Sequence, residues 1–221
     1  DELGFLSHLI AQGIAVPAHR AKIFMDDREV VTLDGLEADM DDFGLIVFQE
    51  GFLNFLHAQC SRYPHYRLDM GMTIAEVIRE NGRVVAVKGR RRGGQEEIIE
   101  GSFFVTTTGR NTGLRKQVGV AVDVLESSFD IYWMKFDAPS DSALIPDGFH
   151  AYLQDQSMFI FYRTYDQRVQ VAWGKRGWNP AEFRDLQGLK KQLLDEVPEG
   201  FRPMITEQFS EKTERQLLKV A

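Results

Sequence analysis

The sequence predicts an α+β protein: an α/β layer joined to an antiparallel β-sheet with flanking helices. Three observations carry this. A strand–helix–strand pattern runs from Leu45 to Met70. An alternating meander with an Asn81-Gly82 turn follows it. Beyond residue 129 come long alternating strands rich in aromatic residues, as in an antiparallel sheet with one covered face.

In chain order, "DELGFLSHLIAQG" places Leu3, Leu6, Leu9 and Ile10 at helical spacing, with Gly13 as the stop. "AKIFMDD" and "EVVTLDG" read as two short strands around Asp26-Asp27. The acidic, Gly-flanked 34–44 segment reads as a solvated loop rather than a metal site. Leu45–Phe48 form a strand, and Gln49–Arg62 a helix with Phe52, Leu53, Leu56 and Cys60 on one face. Pro64 ends it, and Arg67–Met70 make another strand. In the meander, Asn81-Gly82 is a hairpin signal, Gly93-Gly94 a second turn and Ile98-Ile99 a third strand. Arg90, Arg91 and Arg92 belong to a solvated hairpin tip.

The stretch "SFFVTTTGRNTGLRKQVGV", Ser102 to Val120, reads as a short buried strand (Phe103, Phe104, Val105), a glycine at 109, and a helix starting near Leu114 and Arg115 after Thr112. Ligands of open α/β sheets sit where the chain leaves a strand's carboxyl end, so this stretch is a candidate cofactor contact. The aromatic strands turn at Tyr165-Asp166-Gln167. Asn179-Pro180 starts a helical run to Leu194 by the capping rule. A segment around Phe201–Phe209 and a last apolar run, Leu217–Val220, close the chain.

Composition bounds the function. The 221 residues suffice for one large or two small domains, and 43% hydrophobic with 27% charged residues is ordinary for a globular chain. Sixteen Phe supply a large aromatic core. A formal charge of −7 argues against a nucleic-acid partner. No apolar run approaches the roughly 18 residues that span a bilayer. The single Cys60 excludes an internal disulfide, so a cytoplasmic setting is expected. The five histidines have no metal-ligand spacing.

Taken together, the order of elements and the segments "DELGFLSHLIAQG", "FQEGFLNFLHAQCSRYPHYRLDMGMTIAEVIRENGRVVAVKG", "GSFFVTTTGRNTGLRKQVGV" and the Trp133 strand with its later "VAWGKRG" resemble the FAD-dependent monooxygenases of the para-hydroxybenzoate hydroxylase type, the group A flavoprotein hydroxylases. The resemblance covers nearly the whole chain. In that family a strand ends in Ala-Asp-Gly, and Ser and then Arg follow. Here Thr108 takes the Asp position, Gly109 the Gly, Thr112 the Ser and Arg115 the Arg. The resemblance implies that Thr108, Gly109, Arg110, Asn111, Thr112 and Arg115 pack against the FAD pyrophosphate and ribose. It implies a further link to the nicotinamide cofactor, NADPH or NADH. Gly109, without a Cβ, would let the backbone come close. Thr108 forfeits the charged acceptor that an Asp provides. Gln49, at the start of "FQEGFLNFL", matches a family glutamine near the FAD adenosine or pyrophosphate, and a helix start offers free N–H groups to a phosphate.

The same resemblance implies a division in which residues 1–20 and 45–120, with the meander at 67–100, form part of an FAD-binding α/β domain. Residues 21–44 and 121–221 then form the substrate-side sheet, with Trp133, Phe159, Phe161 and Trp173 as its wall. Bland readings stand beside each assignment: strand-end and cap roles for Thr108 and Thr112, a solvated helix start for Gln49, and core packing for the four aromatics. Neither the family's G-x-G-x-x-G nor its Gly-Asp-Ala-Ala-His-like motif occurs in these residues, so the chain is expected to be a central piece of a longer enzyme. The implied activity is FAD-dependent oxidation or hydroxylation of a small aromatic or polycyclic molecule. Alternatives are a flavin-dependent reductase or halogenase-like relative, or a binding domain that has lost FAD.

Overall fold

A computed structural model of the chain describes residues 3–34, 44–109, 113–121, 130–138, 148–176 and 184–218. Helix α1 (Leu6–Ala11) precedes strands β1 (Ala15–Ala18), β2 (Arg20–Met25), β3 (Arg28–Asp34) and β4 (Gly44–Val47). Helix α2 (Gln49–Cys60) leads to β5 (Met72–Glu80), β6 (Arg83–Arg91), β7 (Glu96–Glu100) and α3 (Leu114–Gln117). Then come β8 (Asp130–Phe136), β9 (Gly148–Leu153), β10 (Ser157–Arg163), β11 (Val169–Lys175), α4 (Leu186–Glu196), α5 (Arg202–Gln208) and β12 (Glu214–Leu218). The α+β class predicted from the sequence is the class observed.

The chain divides into two compact units, residues 1–56 with 125–221, and residues 57–124. The first holds a seven-stranded sheet in the order β12-β8-β11-β10-β9-β2-β3. All its pairs are antiparallel except β2 with β9. Alternation along β8, β10 and β11 turns Tyr132, Met134, Phe136, Phe159, Phe161, Val171 and Trp173 to one face. There they meet Leu189, Leu193, Met204, Ile205 and Phe209 of and beside α4 and α5 in one buried cluster. The apolar positions of α4 fall at helical spacing, which is why it lies flat on the sheet. Its cap is Asp185, which accepts a hydrogen bond from the Gly188 N–H at 3.0 Å. The expected start at Asn179-Pro180 lies outside the described residues.

A second, smaller core in this unit gathers Leu9, Ala15 and Phe55 with Phe5, Ile14, Leu45, Phe52 and Leu56. Here β4 pairs with β1, and α2 packs behind them. The covered stripe of α2 is Phe52, Phe55 and Leu56. Leu53, expected on that stripe, is 57% exposed. At about 100° per residue, position 53 lies about 160° around the helix from the buried Phe55.

The second unit is built on the meander β5-β6-β7. Asn81-Gly82 turns with positive φ at both residues, as the hairpin signal predicts. Arg90 and Arg91 at the far end are tied to Glu96 and Glu97. Helix α3 is clamped to β5 by one side chain. Gln117 accepts from the Val77 N–H at 2.7 Å and donates to the Ala75 carbonyl at 3.0 Å. Two predicted strands are absent. Arg67–Met70 is irregular, and so is the run at Phe103–Val105, where Phe103 is 84% and Val105 77% exposed. Extended apolar residues become a buried strand only when neighbouring strands and a covering layer supply partners, and among the described residues neither run pairs with one.

Candidate functional site

The face of the seven-stranded sheet opposite the helices carries a cavity of about 600 Å³. Its floor is made by Trp133 and Lys135 of β8, Tyr162 of β10 and Gln170 of β11. The turn residues Thr164 and Tyr165 form one side, and Ile46, Val47, Phe48 and Gln49, where β4 becomes α2, form the other. Tyr162 and Trp133 meet edge-on, with centroids 6.4 Å apart at 72°.

The junction at Gln49 is fixed by the helix it starts. The Phe52 N–H donates to the Phe48 carbonyl at 2.9 Å, which makes Phe48 the cap. The N–H groups of Gln49, Glu50 and Gly51 then have no acceptor within the helix. The Gln49 side chain is exposed.

Two ion pairs stand at the cavity. Lys135 Nζ lies 2.7 Å from the Asp166 carboxylate and 5.2 Å from the centre of the Tyr165 ring. Thr164 Oγ1 also donates to Asp166. Burial acts to raise the Asp166 pKa, but hydrogen bonds from Lys135 and Thr164 and the lysine's charge outweigh it and hold the carboxyl below its ordinary value. Glu214 at the rim is held by Arg168 at 3.0 Å. Two polar groups of the floor are open to a ligand. Gln170 Nε2 donates to the Met134 carbonyl at 3.0 Å, which leaves its Oε1 as an acceptor. The Tyr162 hydroxyl makes no protein hydrogen bond among the described residues, and burial raises its pKa, so it stays a protonated donor.

The sheet separates the four predicted wall aromatics. Trp133 lines the cavity, whereas Phe159, Phe161 and Trp173 are at most 2% exposed on the other face, beneath the helices. They do not form one wall, because Trp133 stands opposite Ala172, one residue away from Trp173. Tyr162 and Gln170 were missed from the sequence. Their positions follow from the strand register, which only the tertiary structure supplies.

In the second unit, Thr108 and Gly109 lie on an exposed irregular stretch. Gly109 has φ +78°, and among the described residues, its chain neighbours aside, no atom stands within 4 Å of where a Cβ would project. Arg115 Nη2 donates to the Gly109 carbonyl at 3.2 Å. The Thr106 and Thr108 hydroxyls are 2.9 Å apart. Arg110, Asn111 and Thr112 lie outside the described residues. The α3 cap is Gly113. A guanidinium, two hydroxyls and an open glycine backbone make a donor set that suits an anionic pyrophosphate.

No protein-family model matches the chain, and no curated protein does. Solved structures match its fold. PqsL from Pseudomonas aeruginosa, a probable FAD-dependent monooxygenase, superposes with a TM-score of 0.77 at 12% identity, over 100% of this chain and 60% of that one. The p-nitrophenol 4-monooxygenase PnpA from Pseudomonas putida DLL-E4 gives 0.75 at 14%, over 99% and 53%. The flavin-dependent brominase Bmp2 gives 0.73 at 13%, over 98% and 54%. The chain thus has the fold of a part of these flavin-dependent enzymes, and spans between half and three fifths of their length.

Proposed function

We propose that the protein is part of an FAD-dependent oxidoreductase that hydroxylates or otherwise oxidises a small aromatic molecule. The observation that carries this reading is the cavity in which the helix start at Gln49 faces a floor of Trp133, Tyr162 and Gln170. A cofactor-side element and an aromatic floor with one acceptor and one donor share one space there. In this reading residues 1–20 and 45–120 serve the cofactor, and residues 21–44 and 121–221 serve the substrate. The likeness to monooxygenases supports it. A complex of PqsL with 2-aminobenzoylacetate, an aromatic compound, supports the substrate class.

Gln49 with the α2 N–H groups, and separately Thr108, Gly109 and Arg115, would hold the phosphate-bearing parts of FAD. Arg110, Asn111 and Thr112 belong to the same assignment by sequence. When bound, FAD supplies the electron transfer and oxygen activation, with NADPH or NADH as the electron source. The chain's own residues do the rest. Trp133 and Tyr162 offer ring faces and edges to an aromatic substrate. The Tyr162 hydroxyl donates to it, Gln170 Oε1 accepts from it, and Ile46, Val47 and Phe48 keep water from one side. A cytoplasmic setting fits this role; among the described residues no helix is long and apolar enough to cross a membrane.

A second reading keeps the cofactor and changes the product to a halogenated one, favoured by the brominase Bmp2 and the chondrochloren halogenase CndH among the matching structures. The test is an absorbance scan of the purified full-length protein at the flavin bands, followed by phenol-dependent oxidation of NADPH or NADH with and without bromide. Flavin absorbance and phenol-stimulated oxidation are expected without halide. Absence of flavin after reconstitution overturns both readings, and a strict halide requirement selects the second.

A further inference from the structure

Beyond the cavity, the same sheet face continues as an exposed apolar strip. The strand register sets Lys135, Gln170, Tyr162, Phe149, Ala21 and Leu33 side by side in one row across β8, β11, β10, β9, β2 and β3. Five strand spacings separate its ends, which is about 24 Å at ~4.8 Å per spacing. The cavity stops at β10. The row goes on, and its chemistry changes along the way, from polar side chains at one end to purely apolar ones at the other.

The outer part is exposed and apolar. Leu33 is 60%, Met25 52%, Leu153 40%, Val31 39% and Phe149 36% exposed, and the register puts all five on the cavity face. On the opposite face of the same strands the Lys22–Glu29 ion pair at 2.6 Å and Thr32, bonded to Glu29, stand beside Phe24, which stacks on Tyr152 at 4.4 Å. Period-two alternation turns Met25, Val31, Leu33, Phe149 and Leu153 to the side on which the cavity opens. The link is physical: Phe149 stacks on the cavity residue Tyr162, with centroids 6.5 Å apart at 15°. At the polar end Lys135 and Glu214 are paired with Asp166 and Arg168.

We propose that the cavity and this strip together bind an elongated, amphipathic aromatic molecule. A hydroxyl- or N–H-bearing ring sits over Gln170 and Tyr162, and an alkyl chain or further fused rings run along Phe149 and Leu153 toward β2 and β3. The proposal rests on the function proposed above and narrows its substrate from small aromatic compounds to long ones. A protein segment or a second copy would meet the apolar end equally well, but would not need the graded row that ends at a ring-sized cavity.

The experiment titrates the full-length protein with phenol, 4-butylphenol and 4-octylphenol by equilibrium dialysis, in wild type and in Phe149→Asp and Leu153→Asp. Each fully buried methylene tightens binding about fourfold. A gain of at least tenfold from phenol to 4-butylphenol is expected, with a further gain for 4-octylphenol. Both variants should lose most of the gain, and Leu153→Asp should keep phenol affinity within about twofold. A flat series in wild type overturns the proposal while leaving the aromatic reading intact. Absence of phenol binding overturns both. A gain that survives in the two variants places the chain elsewhere and overturns the proposal. If either variant fails to fold, the wild-type series together with Gln170→Leu decides: it must weaken all three phenols alike.

Discussion

Phe48 and Tyr165 stack with ring centroids 4.2 Å apart and planes 21° from parallel. One ring caps α2, and the other lies in the turn between β10 and β11. The stack therefore pins the helix start to the sheet at the edge of the cavity. An aromatic pair contributes about 0.5–1.5 kcal/mol beyond its buried area. A double-mutant cycle of Phe48→Ala and Tyr165→Ala in urea denaturation should return a coupling in that range. A coupling near zero would show that the rings merely touch.

Gly51 is the residue that lets Phe48 take this position. A Cβ there would lie 2.7 Å from Phe48 Cδ1 and 3.4 Å from Ile14 Cγ2. Gly51→Val should push the ring away, weaken phenol binding several-fold and destabilise the protein by about 1–3 kcal/mol, the usual cost of overpacking. Unchanged phenol affinity would separate the stack from the cavity's shape.

Glu196 at the end of α4 accepts from Trp173 Nε1 at 3.0 Å and pairs with Lys175 at 2.6 Å. Trp173 is fully buried, so the loss of this acceptor is expensive. Glu196→Ala should lower stability by about 2–3 kcal/mol, and Glu196→Gln, which keeps an oxygen for the indole, by about 1 kcal/mol. Equal losses in chemical denaturation would assign the effect to the lysine alone.

His150 is 8% exposed, and among the described residues neither ring nitrogen has a hydrogen-bond partner. Burial first, then the Lys22 and Arg20 charges, lower its pKa from 6.5 to about 4, with Glu29 opposing. The unfolded chain thus takes up a proton between these values that the folded chain does not. Stability from this group is complete above pH 6.5 and is lost as the pH falls to 4, by at most about 3 kcal/mol. Melting curves from pH 7 to 4 should fall more steeply for wild type than for His150→Phe. Parallel curves would place the acid sensitivity in the carboxylates.

Thr108 sits beside the open backbone of Gly109. In the full-length protein Thr108→Asp should change the FAD dissociation constant by less than about a hundredfold, because a neutral and a charged hydrogen bond differ by only ~1 kcal/mol. Thr108→Leu should weaken FAD more, since it removes both donor and acceptor. Wild-type affinity in Thr108→Leu would show that the side chain faces away from the cofactor.

Much of the fold was legible because it is local. Positive-φ turns at Asp26-Asp27 and Asn81-Gly82, and the period-two strands after residue 129, announce themselves within a few residues. The start of α2 at Gln49 was legible for the same reason, and so was an aromatic sheet. Failures came where an element depends on distant partners. Phe103–Val105 has the composition of a buried strand and none of the strand's neighbours.

The candidate site divides along the same line. The sequence by itself determined which residues alternate along each strand and where α2 begins. Only the tertiary structure decided that Trp133 faces the cavity while Phe159, Phe161 and Trp173 face the helices, and that Tyr162 and Gln170 stand beside Trp133. Parity within a strand is a property of the backbone. Which parity is covered depends on the register between strands far apart in sequence and on the side to which α4 and α5 dock, and a shift of one residue in either would exchange the two faces.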